Sequence, residues 1–283
     1  MADGRDQIAL IGAGRMGTGI ALNLLKAGHA VGYLHHPGNA DTAGIDAAGA
    51  ERFGDVAALM AGRTAVILVV TGAPQVEAVV GDLLPRLKGA AVIDCSTSLP
   101  ETSRRMAARV EAAGSTWLDA AMTRTPKEAQ EGRLGLILGG SDAVVARWRP
   151  VLESFAESIQ HAGGPGDGHA MKLIHNFVSL GFSAVMAEAA AAADAQGIPR
   201  AALVEVLGAG GGRSVVLDRF TPWLLEGDEA AFSFTLANAA KDTGYHSDAA
   251  GAGARLAALV AAIYREAAGR APGAPVPVLT EML

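Results

Sequence analysis

Residues 7–19 read Gln-Ile-Ala-Leu-Ile-Gly-Ala-Gly-Arg-Met-Gly-Thr-Gly, an apolar run that ends in a glycine-rich turn. An amphipathic stretch follows at residues 20–26, so the pattern predicts a strand, a turn and a helix in succession. In that context the G-x-G-x-x-G spacing indicates a dinucleotide-binding turn. Gly12 permits the tight turn, Gly14 lets the backbone approach a pyrophosphate, and Gly17 lets the helix pack close to the strand. The N–H groups at the start of the helix would then hold the phosphates.

The composition narrows the class of protein. The chain has 283 residues, enough for two domains, and half of its residues are hydrophobic, as in a globular protein. Its formal charge of −6 and the lack of a basic run argue against a nucleic acid partner. The single cysteine, Cys95, excludes an internal disulfide and a cysteine-based zinc site, and no metal site is predicted. We expect no membrane segment, because no apolar run reaches about 18 residues. The polar start at residues 1–6 has no signal-peptide core, so we expect a cytoplasmic protein.

Short apolar runs alternate with helical patterns up to about residue 160. Such alternation predicts an α/β fold, a Rossmann-type doubly wound parallel sheet with helices on both faces. The predicted strands are residues 8–11, 30–34, 65–70, 91–94, 116–119 and 134–138, and the clearest predicted helices are residues 20–27, 74–84 and 102–113.

The pattern changes after the sequence Gly-Gly-Pro-Gly at residues 163–166. We therefore predict an NAD(P)-binding domain at residues 1–163 and an all-α domain at residues 164–283. The second domain should begin with one long helix at residues 169–196, which is apolar on nearly every face. We expect that helix to be buried between domains or subunits, and the protein to be a homodimer or homotetramer.

Lys172 and Asn176 lie one helical turn apart near the start of that helix, so they project from the same face. A lysine in the first turn faces the positive end of the helix dipole, which favours the uncharged amine. We therefore expect its pKa to fall towards the working pH, where it could act as a general acid or base. The alternative is a solvated surface lysine, but Met171, Leu173 and Ile174 beside it are apolar and favour a cleft.

Several segments together resemble the β-hydroxyacid dehydrogenase family, and the resemblance spans roughly residues 7 to 245. It is carried in chain order by residues 11–17, 23, 26–29, 92–97, 119–123, 168–176 and 241–242. The resemblance implies reversible hydride transfer between NAD or NADP and a small anionic β-hydroxyacid or its semialdehyde. It makes Lys172 the acid/base, and Asn176 and Thr123 residues that help to hold the substrate. The cofactor-binding residues that it implies are Gly12, Ala13, Gly14, Arg15, Met16, Gly17, His35, His36, Val70, Thr71, Ser96 and Lys241, and Ser96 is also assigned to the substrate.

The predicted substrate loop departs from the family pattern. Most members read Asp-Ala-Pro-Val-Ser-Gly-Gly, whereas this chain has Met122-Thr123-Arg124-Thr125 in the second half of that segment. A guanidinium offers paired donors to an anion, and sulfolactaldehyde reductases of this family also have an Arg-Thr pair there. The sequence thus suggests a substrate with a sulfonate. The alternative is that Arg124 only forms an ion pair with Glu128 or Glu131.

His175 is a second departure, because the family normally has an asparagine at this position. It is either a substrate contact or a packed histidine of the helix. The Pro- and Gly-rich run at residues 269–278 also fails to match the family, and we assign it no role.

The choice between NAD and NADP depends on the end of the second predicted strand, where the chain has His35 and His36. NAD-dependent folds usually place a carboxylate there, and NADP-dependent ones an arginine. The absence of a carboxylate removes the repulsion of a 2′-phosphate, so the pattern leans slightly to NADP.

Three rival functions stay open. Some relatives of this architecture are imine reductases or non-catalytic nucleotide-binding proteins, and the joint presence of Lys172, Asn176 and Lys241 argues against both. Lys172 could instead form a Schiff base with a carbonyl substrate, but the glycine turn would then have no purpose.

Overall fold

The computed structural model describes residues 6–39, 41–251 and 253–283, so most of the polar start at residues 1–6 lies outside the described residues. The chain divides into two compact units, Met1–Lys172 and Leu173–Leu283. The first unit contains the sheet and the second is helical, which confirms the predicted α/β class with an all-α second half. The exact domain boundary at residues 163 and 164 stays a prediction.

Eight strands form one sheet in the order β3-β2-β1-β4-β5-β6-β7-β8. All neighbouring strands are parallel except β6 and β7, which run antiparallel. The strands are β1 (Gln7–Ile11), β2 (Ala30–Leu34), β3 (Glu51–Phe53), β4 (Ala65–Leu68), β5 (Ala91–Asp94), β6 (Trp117–Thr123), β7 (Leu134–Gly139) and β8 (Ala156–Gly163).

Both faces of the central strands are buried. In β1, Ile8 and Leu10 pack in one apolar cluster, whereas Ala9 and Ile11 pack in a second cluster on the other face. A strand with two buried faces reads as a continuous apolar run, which is why the sequence predicted it. The helices that follow the strands are α1 (Arg15–Lys26), α2 (Ala43–Ala47), α3 (Val56–Met60), α4 (Ala73–Leu83), α5 (Pro100–Ala112), α6 (Pro126–Glu131) and α7 (Asp142–Leu152), with a 3₁₀ turn at Leu84–Arg86.

The structure corrects three details of the predicted sheet. β3 and β8 were not predicted, because both carry exposed polar residues and lie at the two edges of the sheet. β4 ends at Leu68 rather than Val70. β6 continues to Thr123, so most of the predicted substrate loop is strand, paired with β7.

The second unit is built around a helical core. Helix α8 (Asp167–Ala195) begins in the first unit and continues into the second. In the second unit, Phe220, Leu236 and Tyr264 are fully buried, and the Tyr264 hydroxyl donates to the Leu180 carbonyl at 2.8 Å. The remaining elements are α9 (Arg200–Ala209), α10 (Val215–Glu226), α11 (Leu236–Ala250), α12 (Arg255–Arg270) and a 3₁₀ helix at Val276–Glu281.

One face of α8 is exposed in the single chain. The prediction that this helix is buried between domains or subunits stays a prediction. Met171, Ile174, Val178, Phe182 and Val185 form this stripe, and Val185 is 66 % exposed. The expectation that no segment is apolar enough to span a membrane is wrong for α8 by length and composition. One such helix is weak evidence for a membrane, because core helices of soluble proteins pass the same test.

Candidate active site

The glycine turn between β1 and α1 has the geometry that its sequence predicts. Gly12 has φ +106°, and a Cβ there would lie 2.1 Å from the Val69 carbonyl oxygen. A Cβ on Gly17 would lie 2.1 Å from the carbonyl oxygen of Gly12, so the helix packs tightly on the turn. A Cβ on Gly14 would meet no atom within 4 Å. Two of the glycines are therefore needed by the fold, and the third faces open space.

The start of α1 is suited to an anion. Gly14 is the N-cap residue and provides no side-chain cap for the first N–H groups of the helix. Ala13 is buried, Arg15 is exposed and Met16 packs against the core. These N–H groups, together with the open space beside Gly14, fit the pyrophosphate of a dinucleotide.

The two histidines after β2 are exposed. The Nδ1 atom of His36 accepts a hydrogen bond from the Gly38 N–H at 3.0 Å, and the His35 N–H donates to the carbonyl of Phe53 at 2.8 Å. No carboxylate, which would repel a 2′-phosphate, stands at either position.

Ser96 joins the ends of two neighbouring strands. Its hydroxyl accepts from the Val70 N–H at 3.0 Å, and its own N–H donates to the Asp94 carboxylate at 3.0 Å. Thr71 follows Val70 in the same loop. Ser96 is 2 % exposed, so it holds the backbone at this edge of the sheet in addition to any contact with a ligand.

Cys95 lies beside Ser96 and is fully buried. Burial, together with the nearby charge of Asp94, raises the pKa of its thiol far above the usual range. Because the thiolate is the reactive form of cysteine, Cys95 is chemically inert here.

Arg124 follows the last residue of β6 and has φ +79°, a conformation that glycine adopts more readily. Its guanidinium donates to the carboxylate of Glu157 on β8 and to the carbonyl of Arg133. The hydrogen bond from Arg124 and its positive charge lower the pKa of Glu157. Of the two alternatives left open for Arg124, the ion pair with Glu128 or Glu131 is wrong in its partner, because the carboxylate that binds the guanidinium is Glu157.

The neighbours of Arg124 have local partners as well. The Thr123 hydroxyl donates to the Gly135 carbonyl at 3.2 Å. Thr125 and Glu128 form a capping box at the start of α6, which is why Glu128 does not bind Arg124. The hydrogen bond from the Thr125 hydroxyl is the main cause of a lowered pKa for Glu128.

Lys172 is 8 % exposed and lies in the second turn of α8. The prediction that Lys172 lies in the first turn is wrong, because the helix starts at Asp167 and not at His169. The effect of the helix dipole fades beyond the first turn, so the dipole acts less on Lys172 than the predicted helix start implied. Asn176 follows one turn later on the same helix.

In the second unit, Asn176 is held by the carboxylate of Asp242, which was not among the predicted site residues. Its side-chain N–H donates to Asp242 at 2.6 Å, and its Oδ1 atom lies 3.0 Å from His175 Nδ1. Lys241 Nζ lies 3.3 Å from the other oxygen of Asp242. Asp242 is next to Lys241 in the resembling segment, and that position was its one signal in the sequence.

Within the described residues, no group of three or more His, Cys, Asp or Glu side chains is arranged to hold a metal ion.

Family comparisons cover nearly the whole chain. Residues 7–163 match a model described as the NAD binding domain of 6-phosphogluconate dehydrogenase. Residues 166–275 match a model described as NAD-binding of NADP-dependent 3-hydroxyisobutyrate dehydrogenase. The chain belongs to the β-hydroxyacid dehydrogenase family and is a nicotinamide-dependent dehydrogenase that acts on a CH–OH group.

Individual relatives agree with this class. The chain is 37 % identical to 3-hydroxyisobutyrate dehydrogenase of Pseudomonas aeruginosa, over 76 % of this chain and 74 % of the relative. It is 31 % identical to 3-sulfolactaldehyde reductase of Escherichia coli, over 86 % and 83 %. Among solved structures, 3-hydroxyisobutyrate dehydrogenase of Mycobacterium tuberculosis with L-serine has a TM-score of 0.87 at 27 % identity, over 98 % and 99 % of the two chains.

Proposed function

We propose that the protein interconverts a small anionic semialdehyde and the corresponding β-hydroxyacid, or a sulfonate analogue such as a sulfolactate-type alcohol. The observation that carries this proposal is the buried Lys172, one turn before Asn176 on a single helix, in a chain with the dinucleotide-binding turn at Gly12–Gly17. A lysine is rarely this buried unless it is paired or has a chemical task, because desolvation of the ammonium is costly.

A nicotinamide supplies the hydride to the carbonyl carbon when it is bound. In the reducing direction, Lys172 donates a proton to the carbonyl oxygen as negative charge develops there. Asn176 donates its second side-chain N–H to the same oxygen, because its first N–H is already committed to Asp242. In the oxidising direction, Lys172 accepts the proton of the hydroxyl group.

The far end of the substrate is anionic in this proposal. Thr123, Arg124, Thr125, Ser96 and His175 are the residues assigned to it. Arg124 already binds Glu157, so an anion has to compete with that carboxylate for the guanidinium. A sulfonate or carboxylate that received paired hydrogen bonds would be able to do so.

The cofactor residues are those assigned from the sequence. The turn from Gly12 to Gly17 would hold the pyrophosphate, and Val70, Thr71 and Ser96 would line the nicotinamide half. Lys241 is the residue of the second unit that is assigned to the cofactor. NADP is favoured slightly over NAD, because His35 and His36 bring no negative charge near the ribose.

We also propose a cytoplasmic homodimer or homotetramer. The exposed apolar stripe on α8 supports an assembly of identical subunits, since a second copy would remove these side chains from water.

The decisive experiment is an activity panel with purified protein. NADH and NADPH are each tested with 3-sulfolactaldehyde and 2-hydroxy-3-oxopropionate, and NAD and NADP with 3-hydroxyisobutyrate and L-serine. The Lys172→Ala variant is measured beside the wild type. We expect the variant to lose at least about a hundredfold in kcat, the usual contribution of a general acid, and to keep its affinity for the cofactor.

The same panel separates the rival functions. Activity on a cyclic imine but on no aldehyde would establish an imine reductase, and cofactor binding without turnover would indicate a non-catalytic relative. Trapping of Lys172 by borohydride with a carbonyl substrate would establish Schiff-base chemistry. Retention of more than about a hundredth of the rate by Lys172→Ala would contradict the general-acid role.

A further inference from the structure

His169 lies on α8, three residues before Lys172, and its side chain is completely buried. Its Nε2 atom is 3.1 Å from the carbonyl oxygen of Ser96, and its Nδ1 atom is 2.7 Å from the hydroxyl of Ser103. Because a carbonyl oxygen can only accept, Nε2 carries a proton and donates it to Ser96. The proposed chemistry gives this histidine no role.

Two buried carboxylates flank the ring. Asp94 lies 3.9 Å from Nε2 and Asp119 lies 3.9 Å from Nδ1, and both carboxylates are inaccessible to solvent. Burial raises the pKa of Asp119, and the charge of His169 opposes that shift. The imidazole thus has polar groups at both edges, which fix its orientation.

Asp119 also holds the backbone at the start of α8. Asp119 accepts a hydrogen bond from the Gly166 N–H at 2.7 Å and another from the Trp117 indole at 2.6 Å. A Cβ on Gly168 would lie 2.7 Å from the backbone nitrogen of Gly139, so the helix start lies directly against the end of β7. All of these contacts lie within the first unit.

We call the buried contacts of His169 and Asp119 at the start of α8 the anchor. Ser96 connects this anchor to the candidate site. Its hydroxyl and N–H hold the backbone after β4 and β5, and its carbonyl oxygen accepts the hydrogen bond from His169 Nε2. One hydrogen bond therefore links the first turn of α8 to the segment assigned to the nicotinamide half of the cofactor. Lys172 lies in the next turn of that helix.

We infer that His169 is a positioning residue for Lys172: its Nε2–H···O=C bond to Ser96 sets where the lysine lies relative to the cofactor segment. The inference rests on the proposed function, because it assigns Lys172 the proton transfer. A shift of about 1 Å in a catalytic group can cost about a hundredfold in rate, so loss of this bond should reduce kcat far more than it affects binding.

Three variants separate the contacts of the two ring nitrogens. In His169→Gln the amide nitrogen takes the place of Nε2 and can still donate to Ser96. In His169→Asn the amide nitrogen takes the place of Nδ1, so the contact with Ser103 is kept and the bond to Ser96 is lost. His169→Leu loses both. Each variant is first checked by thermal unfolding, and the most active alcohol substrate of the panel is then used to obtain kcat, KM and the pH dependence of kcat.

We expect His169→Gln to stay within about threefold of the wild-type kcat, and His169→Asn to lose about 10- to 100-fold with little change in KM. The pH profile of kcat should shift in His169→Asn and not in His169→Gln, because the surroundings of Lys172 change. Equal kcat values for the Gln and Asn variants would overturn the inference, as would a loss confined to KM. If His169→Asn does not fold, the kcat of His169→Leu is compared with that of His169→Gln instead, and the same difference is expected.

A second measurement does not depend on activity. Amide hydrogen exchange of residues 167–172 in the protein without substrate should be about tenfold faster in His169→Asn than in the wild type, and unchanged in His169→Gln. If the wild type turns over no substrate, the proposed function fails while the exchange data still test the anchor. Unchanged exchange in His169→Asn would overturn the anchor whatever the activity.

Discussion

Asn176 and Asp242 are joined by a hydrogen bond of 2.6 Å between α8 and α11. Both residues are buried, with Asp242 only 2 % exposed. The bond fixes which side of the Asn176 amide is the donor, since the Oδ1 side faces His175. An asparagine that is locked in this way would lose little entropy in the proposed hydrogen bond to the substrate oxygen.

Asp242→Asn should therefore lower kcat by about tenfold or more, because the amide of Asn176 loses a charged acceptor and its preferred orientation. Steady-state kinetics and the Tm measure the two effects. Asp248→Asn is the matched control, since Asp248 is exposed on the same helix. A kcat for Asp242→Asn equal to that of the control would show that the bond has no part in turnover.

Glu157→Gln tests whether Arg124 binds an anion. The substitution weakens the carboxylate that now binds the guanidinium, so KM for an anionic substrate should fall severalfold while kcat changes little. Arg124→Gly should raise KM, and it should not destabilise the protein, because glycine suits the left-handed backbone at this position. The idea fails if KM is unaffected by both substitutions on the sulfonate and on the carboxylate substrate.

Two alanine substitutions in the glycine turn should separate folding from cofactor binding. Gly12→Ala combines an unfavourable φ with a contact at 2.1 Å, and should destabilise the protein by more than the ~1–3 kcal/mol of backbone strain alone. Gly14→Ala meets no atom and should leave the Tm nearly unchanged, but weaken cofactor binding at least about tenfold. Thermal unfolding and cofactor titration measure the two effects, and normal cofactor affinity in Gly14→Ala would contradict the assigned pyrophosphate position.

His246 gives the stability of the second unit a pH dependence. Burial lowers its pKa below 6.5, and its ring stacks on Phe177 with the centroids 4.5 Å apart. The unfolded chain therefore binds a proton more readily than the folded protein, so stability is lost as the pH falls below about 6.5. The drop in Tm between pH 7.5 and pH 5.5 should be smaller in His246→Phe than in the wild type, and an equal drop in both would assign the effect to other groups.

Phe182→Asp should dissociate the proposed assembly, because it places a charge in the middle of the exposed stripe on α8. Light scattering after size-exclusion chromatography would report a smaller mass. Leu256→Asp is the control, as Leu256 is also exposed and apolar but lies on α12. A wild-type protein that is already monomeric would refute the proposed oligomer.

Much of the fold could be predicted because its central strands are buried on both faces. Such strands are unbroken apolar runs, and β2 and β5 were predicted with their observed bounds. β3 and β8 lack that signal, since an edge strand is partly solvated and its residues alternate less clearly. The extension of β6 was missed because pairing with β7, and not the local sequence, keeps residues 120–123 extended.

Some residues of the candidate site could also be predicted from the sequence, and others could not. Lys172, Asn176 and the glycine turn carry local signals, which are helical spacing and glycine spacing. The contacts that hold the site together have no such local signal. Asp242 is distant in sequence from Asn176, and His169 is distant in sequence from Ser96. Arg124 pairs with Glu157 on β8, a strand that was not predicted, so this ion pair could not be anticipated from residues 126–131.

Cys95 has a practical consequence for experiments on this protein. It is the one cysteine of the chain, and its buried thiol has a raised pKa, so maleimide dyes should leave the native protein unlabelled. A single cysteine introduced at an exposed position would then be the unique attachment point for a fluorophore or spin label. With one exposed cysteine introduced in each unit instead, the distance between the two attached labels could be followed during turnover without first removing the natural cysteine.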